Sequence, residues 1–248
     1  MQRSSVSDGQ TPLRWERQDL TFAALVLASY FVVPIVALLV LQLFQPGLTI
    51  ENLSGVHQIL LQALTHCIIL GLIAFLIAVV HGKPVLQTLR LIPPRSMAVG
   101  RLIAAGAILA TTLLFVTLFF PKPSDSPLER LLTTTPAIVL FVVFGIVFAP
   151  LMEEIIFRGF LFSVLSDLLG GKAALVITSV LFAALHWAQL EGNLPAVGVI
   201  LLVGYVLTLA RHVTDSVVPS VIIHTAYNAT IFLVPALATI VGLGGQPS

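Results

Sequence analysis

Runs of about twenty apolar residues recur through this 248-residue protein, each long enough to cross the hydrocarbon core of a bilayer as a helix. They lie near Thr21–Phe44, Ile59–Val80, Leu102–Phe120, Ala173–Leu190, Ala196–Ala210 and Val217–Val234. A further run, Pro136–Leu169, is longer than one straight span requires at about 1.5 Å of rise per residue. Pro150 falls inside it and should kink or break the helix there, because proline has no N–H for the helix ladder. With 58% hydrophobic residues and 9% charged, against about 25% charged in soluble domains, an ordinary soluble globule is excluded. Lipid offers backbone groups no partner, so the spans must be helical. The pattern predicts an all-α polytopic membrane protein, a bundle of seven transmembrane helices, or eight if the long run is divided at Pro150.

Three regions follow from the same pattern: a polar segment 1–20, transmembrane helices over 21–130, and a second transmembrane region 131–248. The first apolar run is about 24 residues long and has no small-residue cleavage site, so it reads as a span and not as a removable signal peptide. Ten of the twelve basic residues fall on one predicted side, among them Arg3, Arg14, Arg17, Lys83, Arg90, Arg95, Arg101, Arg158, Lys172 and Arg211; only Lys122 and Arg130 are opposite. The positive-inside rule then places the N-terminus in the cytoplasm, as in a cell-membrane protein. A net charge of +1 gives no field that would attract nucleic acid. Cys67 is the only cysteine, which excludes an internal disulfide.

Within the long run, Glu153 and Glu154 are adjacent. An ionisable residue at the membrane centre costs about 2.5–3.5 kcal/mol on insertion scales, and it marks a functional site by default. Gly170-Gly171 is a natural turn after this helix, with Glu154 sixteen residues before Gly170 and His186 fifteen after Gly171. A helical hairpin about that turn brings carboxylate and imidazole to the same depth, about 20 Å from it. His224 and Asn228, at i and i+4 on the last helix, re-enter to an overlapping depth and share one face. A buried carboxylate can take a proton from water, a histidine can hold that water, and a second histidine with an amide can stabilise an oxyanion. Glu153, His186 and His224 equally form a two-His, one-carboxylate set for a divalent metal such as zinc, so both a glutamate-activated and a metal-activated water fit the residues. Arg158 is four and five residues after the glutamates and can pair with either. Neighbouring helix positions point about 100° apart, so one glutamate faces the water while the other braces a neighbouring helix.

Three motifs carry a family resemblance: Glu153-Glu154-x-x-x-Arg158 followed by Gly159, Phe182-x-x-x-His186, and His224-x-x-x-Asn228. In this order, and all within apolar helices, they resemble the CAAX protease and bacteriocin-processing (CPBP, or Abi) intramembrane peptidases, which include the type II CAAX prenyl endopeptidases. The likeness covers about residues 136–232, and every motif position matches; the first 130 residues carry no recognisable motif. The resemblance implies an intramembrane endopeptidase in which Glu153 and His186 activate water and His224 with Asn228 form the oxyanion site. It implies a peptide or lipid-modified protein as substrate. It also inherits the choice between a glutamate-dependent and a metal-dependent enzyme.

Two other classes use the same residue types. A transporter could run a proton or cation relay through Glu and His, but such proteins carry inverted repeats and the two halves here are unlike. A non-proteolytic scaffold or immunity protein would keep the helices without needing a complete motif set. Other protease classes lack their signatures: there is no H-E-x-x-H, no G-x-S-x-G and no aspartate pair within the spans. The remaining polar residues read as structural. His66 and Cys67 should make a helix contact, His57, His81 and His212 should be hydrated at span ends, and Glu191 and Asp215 should be solvated loop charges. Phe182 should pack beside His186, and Trp187 and Tyr227 are positioned to line a cavity.

Overall fold

The computed structural model describes residues 13–50, 52–117, 134–187, 189, 190 and 192–240. All regular structure among them is helical: α1 (Arg17–Gln42), α2 (Gly55–Val80), a one-turn α3 (Val85–Thr88), α4 (Val99–Thr117), α5 (Thr135–Leu169), α6 (Gly171–Leu185), α7 (Leu194–Thr214) and α8 (Val218–Ile240). Helices α1, α2, α5 and α7 are long and apolar enough to cross a membrane. Shorter apolar helices cover Val99–Phe115, Gly171–Leu185 and Val218–Leu233. With large apolar residues such as Leu25, Phe31, Ile35, Leu39 and Phe75 turned outward, this is an integral membrane protein.

The expected span Ala173–Leu190 is corrected: its helix ends at Leu185, and His186 caps it in a tight turn. Asn193 then starts α7, its amide oxygen accepting the Ala196 N–H, as a short polar residue at a helix N-cap does. The expected end of the third span, Phe120, and the opposite-side basic residues Lys122 and Arg130 lie outside the described residues, as does Glu191.

Helix α5 is the axis of the bundle and touches α1, α2, α6 and α8. It runs 35 residues without a break, so the division at Pro150 does not occur. Two widened, π-helical stretches, Phe144–Phe148 and Ile155–Leu161, explain how. A π turn bonds i to i+5 and leaves backbone carbonyls without a partner in their own helix. Pro150 cannot donate, and Gly145, five residues earlier, gives its carbonyl to the Asn228 amide at 2.8 Å. The proline is absorbed by a neighbouring helix instead of ending α5.

The core gathers around the second half of α5. Ile156, Phe157, Phe160, Phe162 and Val164 pack with Ile69, Ile73 and Ile77 of α2, Trp15 before α1, and Phe182 of α6. Gly170 turns the backbone into α6 at φ +83°, a region that residues with a Cβ rarely adopt. Helix α4 makes the most extensive helix contact of the bundle, on α8. Gly106 permits it: a Cβ there would collide with the Ile223 carbonyl and sit 2.8 Å from Ala226 Cβ.

Several structural expectations change. Cys67 is exposed on the outer face of α2 and does not share the helix contact of His66, which is buried against Tyr30 and Phe144. His81 is not simply hydrated; its Nε2 lies 2.9 Å from buried Asp19. Asp215 keeps an exposed carboxylate but pairs with Arg211 at 2.9 Å and Arg90 at 3.3 Å. The long guanidinium arms of Arg90 and Arg211 reach this turn from two separate elements, which loop position alone does not reveal.

Candidate active site

Glu153 and Glu154 end the short regular stretch Ala149–Glu154 that lies between the two widened stretches of α5. Successive residues diverge around a helix, and the two acids separate accordingly. Glu154 points inward and is fully buried, whereas the Glu153 side chain is 13% exposed.

Glu154 Oε1 accepts from Arg158 Nη1 and from His224 Nδ1, both at 2.9 Å. Arg158 is also fully buried, and its guanidinium is satisfied on every side. Nη2 donates to the Gly204 carbonyl at 2.9 Å, Nε to Thr208 Oγ1 at 3.2 Å, and the plane lies 4.4 Å above the Phe182 ring centroid. A buried ion pair is sustained only when its remaining donors find acceptors, and α7 supplies them here. Arg211 braces the other side: its Nε donates to the Arg158 carbonyl at 3.1 Å, one of those in the widened stretch. Sequence reasoning assigned Arg158 to either glutamate; the structure gives it to Glu154. The partners Gly204 and Thr208 were missed because neither is charged, and Arg211 was read only as a basic residue at a turn.

His224, from α8, stands between the acids. With Nδ1 on Glu154, its Nε2 turns to Glu153 Oε2 at 4.0 Å. A carboxylate can only accept, so Nδ1 carries a hydrogen in this pairing. His186 Nδ1 lies 2.8 Å from the Phe182 carbonyl oxygen one turn back, which puts the hydrogen on Nδ1 and leaves Nε2 as an acceptor. Phe182 is the hub that fixes both histidines, 4.6 Å from the His186 ring and 6.1 Å from the His224 ring. His186 itself makes no hydrogen bond or ion pair with either glutamate among the described residues. Trp187 beside it is about half exposed, and Tyr227 is buried against α4 and α7.

Asn228 spends one amide N–H on Gly145 and so ties α8 to α5 at the level of the proline. Glu153, His186 and His224 are the residues that would hold a metal ion; among the described residues no three His, Cys, Asp or Glu side chains are gathered closely enough to form a site by themselves.

The geometry defines a class: a helical integral membrane protein in which a buried acid of α5 bonds a buried histidine of α8, with Phe182 of α6 packed against that histidine and against His186. Residues 135–230 match the family model described as type II CAAX prenyl endopeptidase Rce1-like. The matched segment contains Glu153, Glu154, Arg158, His186, His224 and Asn228, so the resemblance to the CAAX-protease family holds over this part of the sequence. It supports a protease of the CAAX endopeptidase kind. No match was found among curated proteins or among solved structures.

Proposed function

We propose that this protein is an intramembrane endopeptidase that hydrolyses a peptide bond of a membrane-associated substrate, a prenylated CAAX-type peptide being the leading candidate. The observation that carries the reading is His224 suspended between two carboxylates of unequal exposure, one bonded and buried, one open. A structural brace needs only Glu154; Glu153, beside it and partly accessible, is left for chemistry.

In this mechanism Glu153 takes a proton from a water held by His186 Nε2, and the hydroxide adds to the scissile carbonyl carbon. The resulting oxyanion accepts from His224 Nε2–H and from the second N–H of Asn228. Doubly protonated His224 spends one N–H on Glu154 and the other on the oxyanion. Glu153 then returns its proton to the departing amine nitrogen as the C–N bond breaks. Glu154 and Arg158 position His224 and touch no substrate. We place the protein in the cell membrane with a cytoplasmic N-terminus, on its basic-residue asymmetry.

The test is proteolysis of a farnesylated CAAX-type peptide by the purified protein in lipid nanodiscs. Cleavage lost in Glu153→Gln, with the variant folded, is the expected result. Undiminished cleavage by that variant would overturn the mechanism.

A further inference from the structure

Outside the catalytic residues, the N-terminal helices hold a second polar feature. A cavity of about 180 Å³ opens between α1 and α2, with Pro34, Ile50 and Leu61 as its apolar wall, Gln58, Gln62 and Thr65 as polar lining, and Tyr30 and His66 beside them. That is several times the share of one water molecule, about 30 Å³. His66 is 1% exposed, and its Nδ1 lies 2.9 Å from the Gln62 carbonyl oxygen. A carbonyl only accepts, so Nδ1 carries the hydrogen and Nε2 is an acceptor. Among the described residues that buried Nε2 has no donor, and the buried Tyr30 hydroxyl has no partner either. The two rings meet edge to face at 5.5 Å. Buried polar groups are nearly always bonded, so an acceptor and a donor left over at one cavity call for a ligand that supplies both senses.

The cavity lies beside α5, the helix that carries Glu153. Tyr30 packs 6.4 Å from Phe157, which is one turn beyond Glu153 on the same face of α5. His66 reaches the same helix through Phe144, at 6.2 Å. A peptide drawn into lipid must have its backbone N–H and C=O groups bonded by the protein, since the hydrocarbon offers none.

We propose that this cavity is a peptide subsite: His66 Nε2 accepts a backbone N–H of the substrate, the Tyr30 hydroxyl donates to a neighbouring backbone C=O, and the apolar wall receives the substrate side chain between them. The inference rests on the proteolytic reading and deepens it, because it gives substrate positioning to helices outside residues 135–230. No bond is made or broken there.

The experiment compares wild type with Tyr30→Phe, which removes one hydroxyl and leaves the ring packing intact, using the farnesylated CAAX-type peptide in nanodiscs. KM should rise about fivefold, the effect of one lost hydrogen bond, with kcat nearly unchanged and thermal stability equal or higher. A depsipeptide series, with one amide N–H at a time replaced by an ester oxygen, should include a position that raises KM in wild type but not in His66→Phe. Unchanged KM in Tyr30→Phe, or a loss confined to kcat, would overturn the subsite while leaving the protease standing. If wild type does not cleave the peptide, the proteolytic reading fails by itself. Binding of the same peptide to Glu153→Gln then decides the subsite: weakening by Tyr30→Phe supports it, and equal or absent binding overturns it.

Discussion

Glu154 Oε1 is shared by Arg158 Nη1 and His224 Nδ1 at the same distance, 2.9 Å, so one buried oxygen joins the charge balance of α5 to the orientation of the histidine on α8. Removing Arg158 strands a buried carboxylate, and breaking such pairs costs about 3–5 kcal/mol. Arg158→Met should therefore unfold well below wild type in a detergent thermal melt. Adding Glu154→Gln should recover much of the loss, because the stranded charge is gone. A double variant no more stable than Arg158→Met alone would refute the pairing argument.

Among the described residues Glu153 makes no hydrogen bond, and its ion-pair neighbour is His224 Nε2 at 4.0 Å, so replacing it should leave the fold alone. Glu153→Gln should keep the wild-type melting temperature and lose about 10²–10⁴-fold in kcat, the usual range for a general base. Glu154→Gln should lower both stability and rate. Parallel melts and single-turnover cleavage separate the two acids, and equal destabilisation by both changes would contradict their division of labour.

Asn228 compensates for Pro150 through the Gly145 carbonyl. Asn228→Ala should cost about 1–3 kcal/mol by leaving that carbonyl without its donor. In a Pro150→Ala background the helix regains a backbone N–H, and the same change should cost less. The difference between the two backgrounds is a coupling energy measurable by chemical unfolding. Zero coupling would mean that Asn228 does not serve the proline.

Gly106 lets α4 lie directly on the backbone of α8 beside His224. Gly106→Val should force the helices apart at a cost of about 1–3 kcal/mol, as overpacking does, and should reduce cleavage although residue 106 touches no substrate. A fully active and stable Gly106→Val protein would show that α4 does not set the position of His224.

Much of this was legible in the sequence itself. Apolar run length and the charge deficit required membrane helices, since no other structure satisfies its backbone in lipid. The order of the acid, histidine and amide motifs put Glu154 and His224 at overlapping depth, and those two bond in the structure. The i to i+4 spacing of Glu154 and Arg158 made their pairing readable. Local hydrogen bonding was less visible: π turns depend on what neighbouring helices offer, so the widened turns that carry α5 through Pro150 and the end of α6 at Leu185 were not foreseen.

The sequence by itself determined that this protein lives in a bilayer and that its polar residues must meet inside it, because composition and periodicity are properties of the sequence alone. Only the tertiary structure decided which glutamate is spent on Arg158, that α7 supplies acceptors for a buried guanidinium, and that Tyr30 and His66 approach the helix of Glu153. The last two relationships join residues between 46 and 127 positions apart. They are set by helix packing and by the need to bond every buried polar group, which no local pattern encodes.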